Sequence, residues 1–159
     1  MVKNDNELGH LDDINYLIWR IFKFWQRGRQ KLLGEFGLTS SQMELLVTIY
    51  HISKHNTEVT QILLSQKTEI DPMTTSTILR NLQKKGLINR RYSTIDTRAR
   101  IVEITDKGTH LLEKAIVKIN KEQTLLFENI DYEALKNQLQ ILLQEMNRLS
   151  KINEQLNII

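Results

Sequence analysis

Residues 70–88 read IDPMTTSTILRNLQKKGLI, and this stretch carries both end signals of one short helix. Asp71 is a favoured N-cap residue, and Pro72 suits the first helical position because its missing N–H costs no hydrogen bond there. Gly86 is the residue type that most often follows the last turn of a helix. The stretch therefore predicts a helix that runs from Pro72 to Lys85.

The two faces of this helix differ in chemistry. Its apolar face is small and consists of Thr75 (through its methyl group), Ile78, Leu79 and Leu82. The opposite face has no acid, and hydroxyl, amide and basic groups dominate it: Met73, Thr74, Ser76, Thr77, Arg80, Asn81 and Lys84. Short polar side chains and methyl groups near a helix N-terminus suit base edges in a DNA major groove. We expect the first four residues to contact bases and the last three to lie closer to the backbone.

The charge of the chain is concentrated around this helix. Seven basic residues and one acid lie between Arg80 and Arg100, which gives +6 there and leaves −3 for the rest of a chain of net charge +3. A basic block of this kind suits a polyanion, because each neutralised phosphate releases condensed counterions. The alternative is a basic face that is merely solvated.

A β-hairpin is predicted after the helix. The segments 87–92 and 100–105 are rich in β-formers, and a basic tip joins them. A helix followed by such a hairpin is the order of a winged helix-turn-helix, in which the second helix of the motif enters the major groove. The candidate DNA-contacting residues of this wing are Arg90, Arg91, Asp96, Arg98 and Arg100.

Capping signals divide the chain upstream of residue 70. Residues 39–42 read TSSQ, a capping box that opens a helix ending near Ser53. Thr60 caps a short third helix, in which Ile62, Leu63 and Leu64 are expected to face the core.

Long helices flank this central region. Residues 12–33 are apolar on nearly every side, which predicts contacts with the chain's own domain and with a partner subunit. Helices are also predicted over 105–129 and from residue 131 onward. The second of these carries a heptad seam, which is Leu135, Leu139, Leu142, Met146, Leu149 and Leu156. The prediction is a mainly α fold with a small β wing: a winged helix-turn-helix over 36–108, and helical dimerisation regions over 10–35 and 109–159.

Several short motifs occur in a fixed order along the chain. They are Leu38-Thr39, Val59-Thr60, residues 70–71 with 85–88, the wing motif Asp96-Thr97-Arg98-Ala99, and the wing exit ITDKG at 104–108. With the order of elements, they resemble the MarR (multiple antibiotic resistance) family of transcriptional regulators from about residue 12 to 150. The resemblance implies an obligate homodimer that binds a pseudo-palindromic operator, usually as a repressor that a small ligand releases. It also implies that Asp96 braces the wing by pairing with nearby arginines and that Arg98 enters the minor groove.

Two positions depart from the family pattern. Thr77 stands where many relatives carry arginine or another long polar residue, so their base preference does not transfer. Leu63 stands where a capping glutamate is common, so the third helix begins with one cap rather than with a box.

Two further constellations are candidates for ligand binding. Aromatic and basic residues could form a pocket for a flat, partly anionic effector, although ordinary dimer core is the competing interpretation; the candidates are Tyr16, Trp19, Arg20, Phe22, Lys23 and Tyr50. His51 and His55 have the i, i+4 spacing of two metal ligands, but only Glu58 lies nearby as a third. A surface pair is favoured over a metal site.

Other classes of function are disfavoured. The chain has no cysteine, which excludes disulfides and thiolate metal sites, and it carries no motif of a hydrolase or nucleotide-binding enzyme. No apolar run approaches the length that spans a bilayer, and the polar opening residues lack a signal-peptide pattern. We therefore expect a cytoplasmic regulator that needs no cofactor. The alternatives are a winged-helix protein-interaction module and a metal-responsive regulator of the same fold.

Overall fold

The computed structural model describes residues 13–55, 58–93 and 99–156, with side chains up to residue 152. The predicted fold class is confirmed over these residues, because helices dominate and the sheet is a single two-stranded hairpin. The order is α1 (Ile14–Gly34), α2 (Ser40–Ser53), α3 (Gln61–Thr68), α4 (Pro72–Lys84), β1 (Ile88–Tyr92), β2 (Arg100–Ile104), α5 (Asp106–Phe127) and α6 (Tyr132–Leu156).

The predicted helix starts are confirmed at α2, α3 and α4. Thr39 and Gln42 form the reciprocal capping box of α2. The Thr60 hydroxyl accepts the amide of Leu63, so α3 begins with the single cap expected from its sequence. Because these caps satisfy backbone donors that have no partner inside the helix, they fix where each helix begins.

Two compact units divide the chain, one ending at Val117 and the other beginning at Lys118. The core of the first unit joins α2, α3, α4, the hairpin and the start of α5. Its fully buried side chains include Leu45, Leu46, Ile49, Leu64, Leu79, Leu82 and Leu112. The proposed division into 36–108 and its flanks stays a prediction.

The expected orientation of Ile62 is wrong. Ile62 is 66% exposed, whereas Leu64 is fully buried and Leu63 is half-buried. Residues two apart on a helix lie about 200° apart around its axis, so Ile62 and Leu64 cannot share one face. Leu64 and Ser65 define the buried side of α3 instead.

The hairpin is held to α3 by a third extended segment. β1 and β2 are antiparallel, with Ile88 opposite Ile104 and Arg90 opposite Val102. Val102 also donates its amide to the carbonyl of Val59 at 2.8 Å, and Thr60 forms a bridge to Ile101. These bonds place the first residue of α3 beside the wing.

The two long terminal helices expose much apolar surface. Leu33 is the only buried residue of α1, while Ile14, Ile21 and Phe24 are each at least 60% exposed. The predicted contact of α1 with its own domain is confirmed at the C-terminal end of the helix, where Leu33 is buried, and the predicted contact with a partner subunit stays a prediction. In the second unit, Leu139 and Met146 of the predicted seam are more than half exposed. No helix in the described part of the chain has the length and apolar character needed to cross a bilayer.

Candidate nucleic-acid interface

The N-terminus of α4 is fixed by its first residues, as the sequence predicted. Pro72 occupies the first turn, and Asp71 accepts the backbone N–H of Thr74 at 2.9 Å. Hydrogen bonds from the side chain and then the backbone of Thr74 hold the pKa of Asp71 below its ordinary value. Asp71 is therefore ionised at neutral pH, and its charge lies at the positive end of the helix dipole.

The buried face of α4 uses Thr75 for more than its methyl group. Thr75 is fully buried, and its hydroxyl donates to the carbonyl of Ile70 at 3.2 Å. The Ser65 hydroxyl of α3 donates to the same carbonyl at 2.6 Å. This part-buried carbonyl thus accepts one donor from α3 and one from α4, and the two bonds tie the start of α4 to α3.

The structure places all seven residues predicted for the reading face of α4 on its solvent side. Ser76 is half-buried and the other six are exposed, Met73 at 82%. The Thr77 hydroxyl donates to the carbonyl of Met73 and accepts from Arg80, both at 3.1 Å. Because the hydroxyl is already engaged, Thr77 offers a groove mainly its methyl group, which is the chemistry that suits thymine.

Lys85 is a structural residue that the sequence did not reveal. Its ammonium group donates to the carbonyl of Gly37 at 2.6 Å and to Oε1 of Gln42 at 2.9 Å. Its own carbonyl accepts from Nζ of Lys107 at 2.8 Å. The C-terminal end of α4 is thereby tied both to the start of α2 and to the start of α5.

Strand alternation separates the basic residues of the wing. Arg90 lies on the face of the sheet that carries the buried Val102, and Arg91 lies on the opposite face. Arg91 forms an ion pair with Glu103 at 2.8 Å, so its charge is already compensated. Arg100 lies over the ring of Tyr92 at 4.3 Å and donates to the Tyr92 hydroxyl at 2.7 Å.

Arg90 of β1 reaches the first residue of α3. One of its terminal nitrogens donates to Oε1 of Gln61 at 2.9 Å, while its buried Nε–H has no hydrogen-bond partner in the described part of the chain. Burial, and then the charges of Arg100 and Arg80, lower the pKa of Arg90. Gln61 was missed by sequence reasoning, because no local pattern shows that the first residue of α3 reaches β1.

Two of the predicted wing residues, Asp96 and Arg98, lie outside the described residues. Their roles in bracing the wing and entering the minor groove stay predictions from the family resemblance.

The predicted effector residues are found on two helices. On α1, Tyr16 stacks on Trp19 at 5.9 Å, and Arg20 and Lys23 lie over neighbouring aromatic rings; Phe22 of the same helix is 53% exposed. On α2, Lys54 lies over the ring of Tyr50 at 4.3 Å. The cleft beside these helices is lined by other residues, which are Gln26, Arg27, Gln30, Lys31 and Ser40.

The histidine pair of α2 lacks an assembled ligand set. His51 packs edge-on against the ring of Tyr50. Among the residues with described placement, no three histidine, aspartate or glutamate side chains come together to hold a metal ion. The metal-responsive alternative therefore gains no support from the geometry.

Comparison with known proteins places this geometry in a defined class. Residues 35–122 match the family described as ArnR1-like, winged-helix domain. The HTH-type transcriptional regulator YdcH of Bacillus subtilis (strain 168) is 31% identical over 112 residues, which are 70% of this chain and 76% of YdcH.

Solved structures share the fold at lower identity. The S. aureus MepR–DNA complex superposes with a TM-score of 0.72 at 23% identity, over 86% of this chain and 96% of MepR. CouR from Rhodococcus jostii RHA1, bound to p-coumaroyl-CoA, gives 0.69 at 24% identity, over 85% of this chain and 92% of CouR.

The fold and the matched residues thus define a winged-helix DNA-binding protein. The chain belongs to the MarR family of winged-helix transcriptional regulators. The relatives found are transcriptional regulators rather than enzymes.

Proposed function

We propose that this chain is a homodimeric, sequence-specific repressor that binds a pseudo-palindromic operator. α4 is the recognition helix, and its exposed face, from Met73 to Lys84, reads bases in the major groove. The wing lies over the adjacent backbone and minor groove. In a dimer, the two recognition helices reach half-sites about one helical turn, or ~34 Å, apart.

The observation that carries the proposal is the exposed, acid-free face of α4 beside an arginine-rich wing. Arg80, Arg90 and Arg100 have no carboxylate partner in the part of the chain that is described, and Lys84 is exposed on the same helix. A helix that docks a protein partner is expected to expose large apolar anchors, and Met73 is the only large apolar side chain on this face. The surface therefore favours DNA over a protein partner.

Dimerisation is proposed from the apolar side chains that α1 and α6 leave exposed. Isolated exposed apolar residues are normal, but a row of them along a helix indicates an interface, and each of these two helices carries such a row. The heptad spacing of Leu139, Leu142 and Met146 gives one helix of that interface its seam.

A small ligand is proposed to modulate DNA affinity. The support is the strip of stacked rings and cations on α1, together with the acyl-CoA bound to CouR, a protein of the same fold. Aromatic faces with a nearby guanidinium suit a flat ligand that carries a negative group.

Replacing Leu142 with glutamate tests the dimeric regulator. A charge buried in an apolar seam lacks a partner, so we expect dimer dissociation to become easier by at least about 100-fold. Affinity for DNA should fall by about 100-fold or more, because a dissociated protomer binds one half-site alone and is no longer linked to a second protomer on the other half-site. Sedimentation equilibrium and fluorescence anisotropy measure the two effects.

Gln144→Glu is the matched control, since it adds the same charge to an exposed position on the other side of α6. It should leave assembly and DNA affinity unchanged. A Leu142→Glu variant that remains dimeric would contradict the assignment of the seam.

A further inference from the structure

Folding brings three guanidinium groups together at the junction of α4 and the wing. Arg80 comes from α4, Arg90 from β1 and Arg100 from β2. Arg90 and Arg100 lie on the same face of the hairpin, because Arg90 is opposite Val102 and Tyr92 is opposite Arg100, and the helix that carries Arg80 packs against β1. The charges of Arg100 and Arg80 also act on Arg90. Like charges that lie close together repel each other, and this repulsion destabilises the folded chain. A bound anion would reduce the repulsion.

Nothing acidic balances the three arginines within the described residues. Glu103 is the acid on the described part of the hairpin, and it pairs with Arg91 on the other face of the sheet. The described hydrogen bond of Arg90 goes to the neutral amide of Gln61. Among the described residues, the positive charge of the three arginines is therefore not offset by an acid.

All three arginines have a hydrogen-bond partner before any ligand binds, and Arg90 has Gln61. Arg100 is stacked on Tyr92 and bonded to its hydroxyl. Arg80 donates to Thr77 on its own helix. Arg90 differs from both, because its buried Nε–H is unsatisfied. An unpaired buried donor is costly, so Arg90 gains hydrogen bonds when an anion draws its guanidinium outward.

We propose that Arg80, Arg90 and Arg100 together bind one phosphate group of a DNA backbone, and that Gln61 is the positioning residue that directs Arg90 toward it. This inference rests on the proposed DNA-binding function. The phosphate belongs to DNA rather than to a free anion because the arginines join the two elements that are proposed to contact DNA. Planar guanidinium groups suit phosphate, since they donate paired hydrogen bonds in a fixed geometry.

The first test compares Arg90→Gln with Arg91→Gln on a mixed-sequence duplex. The variants remove the same charge from neighbouring residues on opposite faces of β1. The logarithm of the binding constant falls linearly with the logarithm of the salt concentration, with a slope of about 0.9 for each phosphate contact. Arg90→Gln should lose this contact in both protomers, so the slope should fall by about 2 per dimer. At 0.1 M salt this corresponds to a loss of affinity of about 50-fold. Arg91→Gln should change the slope by less than half as much.

The second test addresses Gln61 through two substitutions. Gln61→Glu places a carboxylate where Arg90 donates, so it should neutralise Arg90 and reproduce the slope of Arg90→Gln. Gln61→Ala should weaken DNA binding in the wild-type background and have no further effect in Arg90→Gln. A purely structural role for Gln61 would instead give the same loss in both backgrounds. Thermal unfolding of each variant checks that the fold is retained.

The outcomes separate this inference from the proposed function. If the wild type binds DNA and Arg90→Gln keeps its slope, the phosphate site is wrong while the DNA-binding function stands. If inorganic phosphate raises the melting temperature in an Arg90-dependent way and the DNA slope is unchanged, the site binds a free anion and the inference is also overturned. If the wild type binds no duplex at low salt, both fail together.

Discussion

Raising the salt concentration from 50 to 200 mM is expected to lower the affinity of this chain for DNA by about 150-fold. Each protomer presents Arg80, Lys84, Arg90 and Arg100 without a carboxylate partner in the described part of the chain. The three arginines share one phosphate and Lys84 contacts a second, so a dimer makes about four phosphate contacts, and at a slope of about 0.9 each these give a loss of about 150-fold over this range of salt. The effect is large because every contact releases a counterion, and the contributions of the contacts add in the logarithm of the binding constant.

Fluorescence anisotropy titrations over a series of salt concentrations measure this slope. Thermal unfolding at the same concentrations is the control, because a chain that unfolds would also lose DNA. Binding that persists with little dependence on salt would contradict the assignment of the basic surface to phosphates. That result would favour the protein-interaction module.

Replacing Gly108 with alanine is expected to destabilise the chain by about 3 kcal/mol, the upper part of the range for forcing extra atoms into a packed site. A Cβ at this position would lie 2.1 Å from the carbonyl oxygen of Leu87 and 2.9 Å from Cγ1 of Ile104. The Leu87 carbonyl cannot simply retreat, because it accepts the amide of Thr105 at 3.1 Å. The backbone itself must therefore shift where β1, β2 and α5 meet.

Gly28→Ala is the matched control for this effect. Gly28 lies inside α1, and the added carbon would meet no atom within 4 Å beyond its chain neighbours and the backbone of its own helix, so the change should stabilise the helix by about 0.5–1 kcal/mol. Urea unfolding followed by circular dichroism measures both variants. A Gly108→Ala variant as stable as the wild type would show that the junction between the wing and α5 is looser than the contact indicates.

Local signals in the sequence predicted the elements of this fold well. Asp71 with Pro72 began α4, Gly86 ended it with a φ of 72°, and the Thr39 box opened α2 as expected. Each of these signals acts within a few residues, so its outcome does not depend on the rest of the fold.

Contacts between distant elements could not be predicted in the same way. The pairing of Arg91 with Glu103 follows from the register of the hairpin, and the bond from Arg90 to Gln61 follows from the docking of α3 beside β1. In the sequence, the arginines of the wing therefore looked like one basic surface. The structure divides them between the two faces of the sheet, with Arg90 on one face and Arg91 on the other. Ile62 was misassigned because three consecutive apolar residues on a helix cannot all face one core.

Selection from random duplex DNA at low salt tests the central claim, that α4 reads bases as part of a dimer. We expect recovery of a pseudo-palindrome whose half-sites lie about one helical turn apart. Single half-sites without a symmetric partner would contradict the dimeric arrangement. No enrichment of any sequence would contradict sequence-specific recognition by this chain.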